Sequence, residues 1–182
     1  LINTAVEKFG HLHFLVNNAG TTRFIRDFKL EEVQDEDWDT IMAVNLKGPF
    51  QCARAAKGPI NDAGGGAIVN VASTAGINGM GSSIPYCTSK AALINLTITL
   101  ARVLAPNIRV NAVAPSFIAG DWLMRGFGEN YEKIKAANEK RSVLGKVSTA
   151  DDVADAILAF VNGSSSVTGQ VMVVDGGRSL SP

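Results

Sequence analysis

Residues 67–90 read AIVNVASTAGINGMGSSIPYCTSK and join a short apolar run, a Gly/Ser-rich connection and the start of a long apolar segment. The run of residues 67–72 predicts a buried strand, and residues 85–104 predict a helix. Tyr86 and Lys90 are four residues apart, so a helix places them on one face. If the chain folds back after the strand, the Ser73 hydroxyl comes beside that of Tyr86. Both could then bond one substrate oxygen, which predicts an acid/base site for a carbonyl or an alcohol.

The pair of Tyr86 and Lys90 also has an electrostatic rationale. A phenol has an ordinary pKa of about 10, and lowering it by ~3 units requires about 4 kcal/mol of preferential stabilisation of the phenolate. An ammonium one helical turn away can supply part of that stabilisation. On its own, however, the spacing Tyr-x-x-x-Lys also fits an ordinary helix with a polar first turn, so other parts of the chain have to decide.

Ser73, with Tyr86 thirteen positions later and Lys90 after it, resembles the catalytic pattern of the short-chain dehydrogenase/reductase family. Members of that family move hydride between NAD(P) and a carbonyl/alcohol pair. The resemblance implies that Tyr86 donates or accepts the proton, that Lys90 tunes its pKa and binds ribose, and that Ser73 polarises the carbonyl. Asn45 matches an Asn that interrupts a helix and holds a water in the proton relay to the lysine. The implied catalytic residues are therefore Asn45, Ser73, Tyr86 and Lys90.

Residues 17–20, Asn-Asn-Ala-Gly, match the family motif that follows its fourth strand, lines the adenosine side of the cofactor and braces the sheet. Residues 167–177 match the last strand and its glycine turn. The resemblance implies a nicotinamide cofactor, NAD or NADP, without deciding between them. The implied cofactor-binding residues are Asn17, Ala19, Gly20, Tyr86, Lys90, Pro115, Ser116 and Ile118.

Apolar runs alternate with helical patterns along the chain, which predicts an α/β fold with a doubly wound parallel sheet, Rossmann-like and three-layered. The predicted strands are residues 11–16, 67–72, 108–114 and the run before Asp175. The Asn17 motif, Ser73 and Pro115 all fall at carboxyl ends of strands, where such sheets bind ligands. We expect residues 1–182 to form a single domain.

Two positions depart from the family pattern. Ser116 stands where the family usually has glycine after proline, and Gly120 stands where a nicotinamide-contacting threonine is common. Residues 120–141 occupy the position of the family's variable substrate lid and carry Trp122, Phe127 and Tyr131. Packing in the core is the alternative role for these aromatic side chains.

Two glycine clusters suggest phosphate loops but lack the required pattern. Residues 64–66 are three glycines without the Lys and Ser/Thr of a P-loop. Gly76, Gly79 and Gly81 follow a strand, but their spacing reverses that of a dinucleotide-binding loop. We interpret the first cluster as a flexible connection and the second as a mobile loop beside the substrate.

The composition limits the partners. Seventeen basic residues balance seventeen acidic ones, which does not favour nucleic acid or an anionic membrane. No apolar run reaches the roughly 18 to 20 residues that span a bilayer. His11 and His13 alternate on one predicted strand but have no apparent third metal ligand, so no metal site is predicted. Two cysteines favour a reducing, cytoplasmic setting.

The family's first three strands and its glycine-rich phosphate loop would precede residue 1. We therefore expect this chain to be the carboxyl-terminal two-thirds of a longer oxidoreductase that acts on a small carbonyl or alcohol, with residues 1–182 alone inactive. The alternative is a non-catalytic, truncated module for assembly. The helices predicted at residues 39–57 and 85–104 are strongly apolar, and such helices pair in the family, so we expect a homodimer or homotetramer.

Overall fold

The computed structural model describes residues 1–25 and 29–180, which contain a parallel sheet of four strands in the order β1-β2-β3-β4. The strands are β1 (Phe14–Asn17), β2 (Gly66–Val71), β3 (Ile108–Pro115) and β4 (Val171–Val174). Eight helices accompany them in the described residues: α1 (Ile2–Phe9), α2 (Asp35–Met42), α3 (Gly48–Asp62), α4 (Ala75–Asn78), α5 (Ile84–Leu104), α6 (Asp121–Phe127), α7 (Tyr131–Arg141) and α8 (Ala150–Asn162). The predicted doubly wound α/β fold is confirmed.

The two faces of the sheet bury different side chains of the same strands. Ile68 and Val110 pack with α1, α3 and α5 on one face. Val69 and Val113 pack with α8 on the other. Because successive strand residues point to opposite faces, β2 and β3 are apolar at almost every position, as their sequences indicated. The result is the predicted arrangement of three layers.

A chain of polar side chains connects the sheet to α5. Asn17 Nδ2 donates a hydrogen bond of 2.8 Å to Asn70 Oδ1, and Asn70 Nδ2 donates one of 2.9 Å to Thr97 Oγ1. Thr97 Oγ1 in turn donates to the carbonyl of Leu93 at 2.8 Å. Asn70 and Thr97 are fully buried, so each bond satisfies a polar group that would otherwise be costly. Asn17 therefore braces the sheet, as the family motif implied.

The predicted helix of residues 39–57 is longer and is interrupted. It begins at Asp35 and ends at Asp62, with a five-residue π-helical turn, Ala43–Lys47, between α2 and α3. Asn45 lies in the middle of this turn, so the expected interruption at Asn45 is confirmed. The acidic side chain of Asp37 accepts a hydrogen bond from the backbone N–H of Gln34 at 3.0 Å and caps the helix start.

Two strands are shorter than predicted. β1 starts at Phe14 rather than at residue 11, because pairing with β2 begins only where the N–H of Ala67 reaches the carbonyl of His13 at 3.1 Å. β4 covers only Val171–Val174, because Gly169 before it and Gly176 and Gly177 after it have positive φ values and leave the strand geometry. β1 lies at the edge of the sheet, with Phe14 and Val16 partly exposed.

None of the described helices is both long and apolar enough to cross a bilayer.

Candidate active site

A cavity of about 760 Å³ opens at the carboxyl ends of β1, β2 and β3, where parallel sheets of this type bind ligands. Helices α6 and α7 cover it from above, and the first turns of α5 form one wall. The predicted site residues that line it are Ala19, Gly20, Ser73, Tyr86, Lys90, Pro115, Ser116 and Ile118. Asn17 and Asn45 belong to the surrounding support instead.

Ser73 is held where β2 ends. Its Oγ donates a hydrogen bond of 3.3 Å to the carbonyl of Pro115 at the end of β3, and it accepts one of 3.1 Å from the N–H of Ala75. These bonds tie the hydroxyl to two neighbouring strand ends, so its position is fixed by the sheet. Ser73 is buried but still contributes to the cavity wall.

Tyr86 lies in the first turn of α5. Ser83 caps that turn by accepting a hydrogen bond from the N–H of Tyr86 at 3.4 Å, and Pro85 suits the start of a helix because it needs no donor there. Burial raises the pKa of Tyr86, while the nearby Ser73 hydroxyl acts in the opposite direction and favours the phenolate. In this structure Tyr86 is therefore a neutral phenol at physiological pH.

Lys90 lies one turn further along α5 and is only 4 % exposed. Its ammonium donates a hydrogen bond of 2.7 Å to the carbonyl of Val71 and lies 5.8 Å from the centre of the Tyr86 ring. Burial lowers the pKa of Lys90 from 10.5 to about 8. The spacing thus brings both side chains to the cavity, but burial outweighs any lowering of the Tyr86 pKa in this structure.

Asn45 connects the loop after β1 to α5. Its Oδ1 accepts a hydrogen bond from the N–H of Thr21 at 2.8 Å, and its Nδ2 donates to the carbonyl of Thr21 at 2.9 Å and to Ser89 Oγ at 3.0 Å. Both amide hydrogens are therefore used within the protein. A relay water at Asn45 would have to be held by an acceptor atom rather than by these hydrogens.

Gly20 leaves open space beside two of these groups. A Cβ added there would lie 3.5 Å from Lys90 Nζ and 3.6 Å from Asn45 Oδ1. A larger side chain would fill the approach to the ammonium. Ser116 and Ile118 line the same cavity.

The glycines of residues 76–81 serve packing. A Cβ at Gly76 would lie 2.5 Å from the backbone carbon of Lys90, and one at Gly81 would lie 2.7 Å from Cys87 Sγ. These contacts let the connection lie directly on the first turns of α5, so it is not a phosphate loop. Met80, Gly81 and Ser82 line the cavity, in agreement with their expected place beside the substrate.

The aromatic residues of the lid divide between two roles. Tyr131 is buried, with its ring centre 5.8 Å from that of Phe117, so it packs in the core. Trp122 and Phe127 line the cavity, and the ring centre of Trp122 lies 6.4 Å from that of Tyr86. Trp122 and Phe127 are therefore placed where lid residues would be, their lid role stays a prediction, and Tyr131 has the alternative core role.

Five polar residues that line the cavity are not among the predicted site residues: Asn18, Thr74, Ser82, Asn138 and Arg178. Asn18 lines the cavity where Asn17 was expected, because Asn17 points into the sheet. Arg178 directly follows the Asp-Gly-Gly of the last turn, and a charged residue after that motif was the available signal. No cluster of three potential metal ligands occurs within residues 1–25 and 29–180.

Comparison with known proteins gives consistent matches over almost the whole chain. A family model described as enoyl-(acyl carrier protein) reductase matches residues 1–179. The 3-oxoacyl-[acyl-carrier-protein] reductase FabG of Thermotoga maritima is 40% identical over 179 residues, which are 97% of this chain and 70% of that protein.

Solved structures agree with the sequence matches. The structure of ElxO with NADP bound has a TM-score of 0.87 at 33% identity and covers 98% of this chain, which spans 72% of ElxO. A gluconate 5-dehydrogenase from Burkholderia cenocepacia, in complex with NADP and tartrate, has a TM-score of 0.88 at 28% identity. That match covers 100% of this chain and 70% of the dehydrogenase.

Proposed function

This chain belongs to the short-chain dehydrogenase/reductase family of NAD(P)-dependent oxidoreductases, and from that premise we propose that it interconverts a ketone and a secondary alcohol with Tyr86 as the acid/base. The observation that carries the proposal is the meeting of Ser73, Tyr86 and Lys90 at one cavity wall. A buried serine, a buried tyrosine and a buried lysine around one opening have few other shared uses.

In the proposed reduction, the Tyr86 hydroxyl donates its proton to the carbonyl oxygen of the substrate as that oxygen gains negative charge. The raised pKa of Tyr86 keeps the phenol protonated at neutral pH, which suits a proton donor. The Ser73 hydroxyl rotates its single hydrogen from the carbonyl of Pro115 to the same oxygen and stabilises the charge that develops there. In the reverse direction the Tyr86 phenolate takes the proton of the alcohol.

Lys90 has a double role in this proposal. Its ammonium, fixed by the carbonyl of Val71, stabilises the phenolate that Tyr86 leaves after proton transfer. Its remaining hydrogens would bind the ribose hydroxyls of the cofactor. Asn45 supports the site by fixing Thr21 and Ser89 near the lysine, and the relay water would be held by an acceptor oxygen of Asn45.

The residues proposed to contact the nicotinamide cofactor are Ala19, Gly20, Pro115, Ser116 and Ile118, with Asn17 bracing the strand from which this wall extends. When bound, the nicotinamide supplies or accepts the hydride. NADP(H) is the first cofactor to test, since the two structural relatives described above hold NADP. The relatives also suggest two substrate classes, 3-oxoacyl groups and sugar acids.

We also propose that the protein is a homodimer or homotetramer. Apolar side chains of α3 and α5, among them Phe50, Ile98 and Val103, are exposed and would be covered by pairing of these helices.

The proposed location is the cytoplasm. A compartment where thiols stay reduced suits a chain with two cysteines.

A non-catalytic assembly module is the second candidate, favoured by the exposure of Phe14 and Val16 on the edge strand β1. It keeps the fold but predicts no turnover.

The test is NADPH oxidation by the protein as its gene encodes it, with a panel of ketones that includes 3-oxoacyl thioesters and sugar acids. Tyr86→Phe should lower kcat by about 10²-fold or more, since positioned acid/base groups contribute 10²- to 10⁴-fold. Tyr131→Phe is the matched control because Tyr131 packs against Phe117 in the core. Turnover in Tyr86→Phe above about a tenth of the original rate contradicts the assignment, and absence of turnover with every ketone favours the assembly module.

A further inference from the structure

Arg178 reaches the cavity from the turn after β4. Gly176 and Gly177 adopt positive φ values of 63° and 78°, which favour glycine. Cβ atoms added to them would lie 2.4 Å from Ser142 Oγ and 2.9 Å from Val143 Cβ, respectively. The turn is therefore packed against the residues that follow α7. This contact places Arg178 in the cavity wall where the lid meets the end of β3.

The guanidinium of Arg178 is only partly satisfied. Nη1 donates a hydrogen bond of 3.4 Å to Ser116 Oγ, which is at the long end of the range for such bonds. Nε is buried and has no acceptor within the described part of the chain. Because Nε is buried, a ligand in the cavity can meet the guanidinium only through its Nη groups, and the long bond to Ser116 leaves these groups with donors to spare. Ser116 is one of the two departures from the family pattern, and its hydroxyl contacts this arginine.

No carboxylate neutralises Arg178 among residues 1–25 and 29–180 through an ion pair within 4.0 Å. Asp175 lies in the same turn, but its two oxygens accept hydrogen bonds from the N–H groups of Gly177 at 2.9 Å and Ser179 at 2.8 Å. Against the raising effect of burial, these hydrogen bonds lower the pKa of Asp175, and the charge of Arg178 contributes to the lowering. Asp175 thus forms the turn that presents the arginine and offsets part of its charge from beyond ion-pair distance.

The rest of the cavity wall makes this charge distinctive. Of the described residues that line the cavity, Lys90 and Arg178 carry charge, and both are cationic. Lys90 is bonded to the carbonyl of Val71 and is assigned to the phenolate and the ribose. Apolar lid residues and the amide of Asn138 line the same cavity as Arg178. An anion on the substrate would therefore find its opposite charge at Arg178, in a cavity whose apolar side chains strengthen a charge pair.

We propose that Arg178 binds a carboxylate of the substrate, so that the site selects oxo acids and hydroxy acids over neutral ketones and alcohols. The planar guanidinium presents its two Nη groups side by side, a pair of donors that matches the two oxygens of a carboxylate. Such a ligand accepts from these Nη groups and places a negative charge beside the guanidinium. This inference rests on the proposed ketone/alcohol chemistry and names its substrate class.

The first experiment compares acids with their neutral esters in NADPH-dependent reduction by the protein as its gene encodes it. The probes are 3-oxobutanoate, 4-oxopentanoate and 5-oxohexanoate, each with its methyl ester. We expect kcat/KM for at least one acid to exceed that of its ester by at least about tenfold, which is the size expected for a hydrogen-bonded charge pair. In Arg178→Gln this ratio should fall to about one. Arg178→Lys, which keeps the charge but not the planar fork, should retain an intermediate ratio.

The control Arg102→Gln removes an exposed arginine of α5 and should leave the acid-to-ester ratio as it is. A ratio of about one in the unmodified protein for all three pairs overturns the proposal. So does a fall in acid and ester turnover by the same factor in both Arg178 variants, because that result indicates a purely structural arginine.

Binding measurements decide the proposal independently of turnover. Ligand-observed NMR titrations give the Kd of each acid and ester, and calorimetry gives the Kd of NADPH. The inference is supported if an acid binds more tightly than its ester and Arg178→Gln removes this difference. If no ketone is reduced, that result still stands, and only the proposed function fails. Equal binding of acid and ester by the unmodified protein overturns the proposal. So does an Arg178→Gln variant in which the Kd of NADPH rises and the Kd of the acid does not, because the arginine then binds the cofactor.

Discussion

The ammonium of Lys90 donates its 2.7 Å hydrogen bond to the carbonyl of Val71, at the end of β2, and not to the side chain of Tyr86. This hydrogen bond holds the ammonium at the cavity wall, where it is only 4% exposed and little solvated by water. The consequence is the lowered pKa of Lys90, about 8. Burying a charged group in this way lowers the free energy of unfolding, and a catalytic role would explain why the residue is kept.

Lys90→Met should therefore change the pH dependence of stability. Because the folded-state pKa of Lys90 is about 8 and the unfolded-state value is 10.5, the unfolded chain binds more protons between these pH values. The unmodified protein should gain stability relative to Lys90→Met as pH rises from 8 to 10.5, by up to about 3 kcal/mol. Urea unfolding of both proteins at several pH values measures this gain, and a pH-independent difference contradicts it. Lys57→Met, at an exposed position of α3, is the control.

Ser73→Ala should act on the chemical step. Ser73 lowers the pKa of Tyr86 against the larger raising effect of burial, so its loss should raise that pKa further. Alcohol oxidation needs the Tyr86 phenolate, so its rate rises as this group loses its proton. In Ser73→Ala this rise should occur at higher pH than in the unmodified protein. Removal of one donor to the substrate oxygen should also lower kcat by about 10²-fold. The pH–rate profile tests this, and an unshifted profile would assign Ser73 to substrate binding alone. Ser73→Thr, which keeps the hydroxyl, is the matched variant.

The positions of Ser73, Tyr86 and Lys90 follow from local patterns, because strand periodicity and a four-residue helical spacing are enough to bring them together. Arg178 could not be found in this way. Its approach to the cavity depends on two positive φ values and on packing of the turn beyond α7, which are tertiary effects. The hydrogen bond from Lys90 to Val71 has the same origin, since it joins α5 to a strand nineteen positions earlier.

The asparagine pair at the end of β1 shows what a local sequence pattern leaves undetermined. The sequence indicates that an asparagine pair ends the strand, but not which side chain enters the sheet. In the structure Asn17 bonds to Asn70 and Asn18 lines the cavity. The choice depends on the pairing of β1 with β2, which a local pattern does not specify.

Gly76→Ala should lower stability much more than Gly58→Ala. The added Cβ at Gly76 would lie 2.5 Å and 2.6 Å from backbone atoms of Lys90 and Ala91, so the connection must move away from α5. We expect a loss of about 1–3 kcal/mol and reduced turnover, because Lys90 moves with its helix. At Gly58, in α3, the Cβ would meet no atom within 4 Å outside its chain neighbours, and helix propensity favours alanine by about 0.5–1 kcal/mol. The ring of the following Pro59 disfavours a Cβ there and offsets this gain, so we expect little net change. Chemical denaturation measures both, and destabilisation by equal amounts would contradict the packing argument.

The exposed apolar side chains of α3 and α5 predict self-association. Ile98 is 50% exposed on α5, and Phe50 on α3 is 41% exposed. Light scattering at micromolar concentration should give the mass of a dimer or tetramer. Ile98→Glu should shift it towards the monomer, because a charge would be buried in the interface, while Ile98→Ala should shift it less. A monomeric mass for the unmodified protein would refute the prediction.

A polypeptide of residues 1–182 alone should bind NADPH negligibly, although it contains Tyr86 and Lys90. Tight binding of a dinucleotide needs a cradle for the pyrophosphate, usually backbone N–H groups of a glycine-rich turn at a helix start. The glycine clusters of the described residues do not provide one. Gly66 packs so closely on β1 that a Cβ would lie 1.8 Å from the carbonyl oxygen of His13, and Gly76 packs on α5.

Loss of positioning should also prevent turnover by this polypeptide, because a displacement of about 1 Å from the reactive geometry can cost 10²-fold in rate. Calorimetric titration with NADH and NADPH, after the intact mass of the polypeptide has been verified, tests the prediction. Phe14→Lys serves as a control for association through the exposed edge of β1, since a lysine there discourages strand pairing without altering the cavity. Saturable binding in the micromolar range by either polypeptide would mean that Lys90, Ser116 and the space beside Gly20 hold the cofactor without a pyrophosphate cradle.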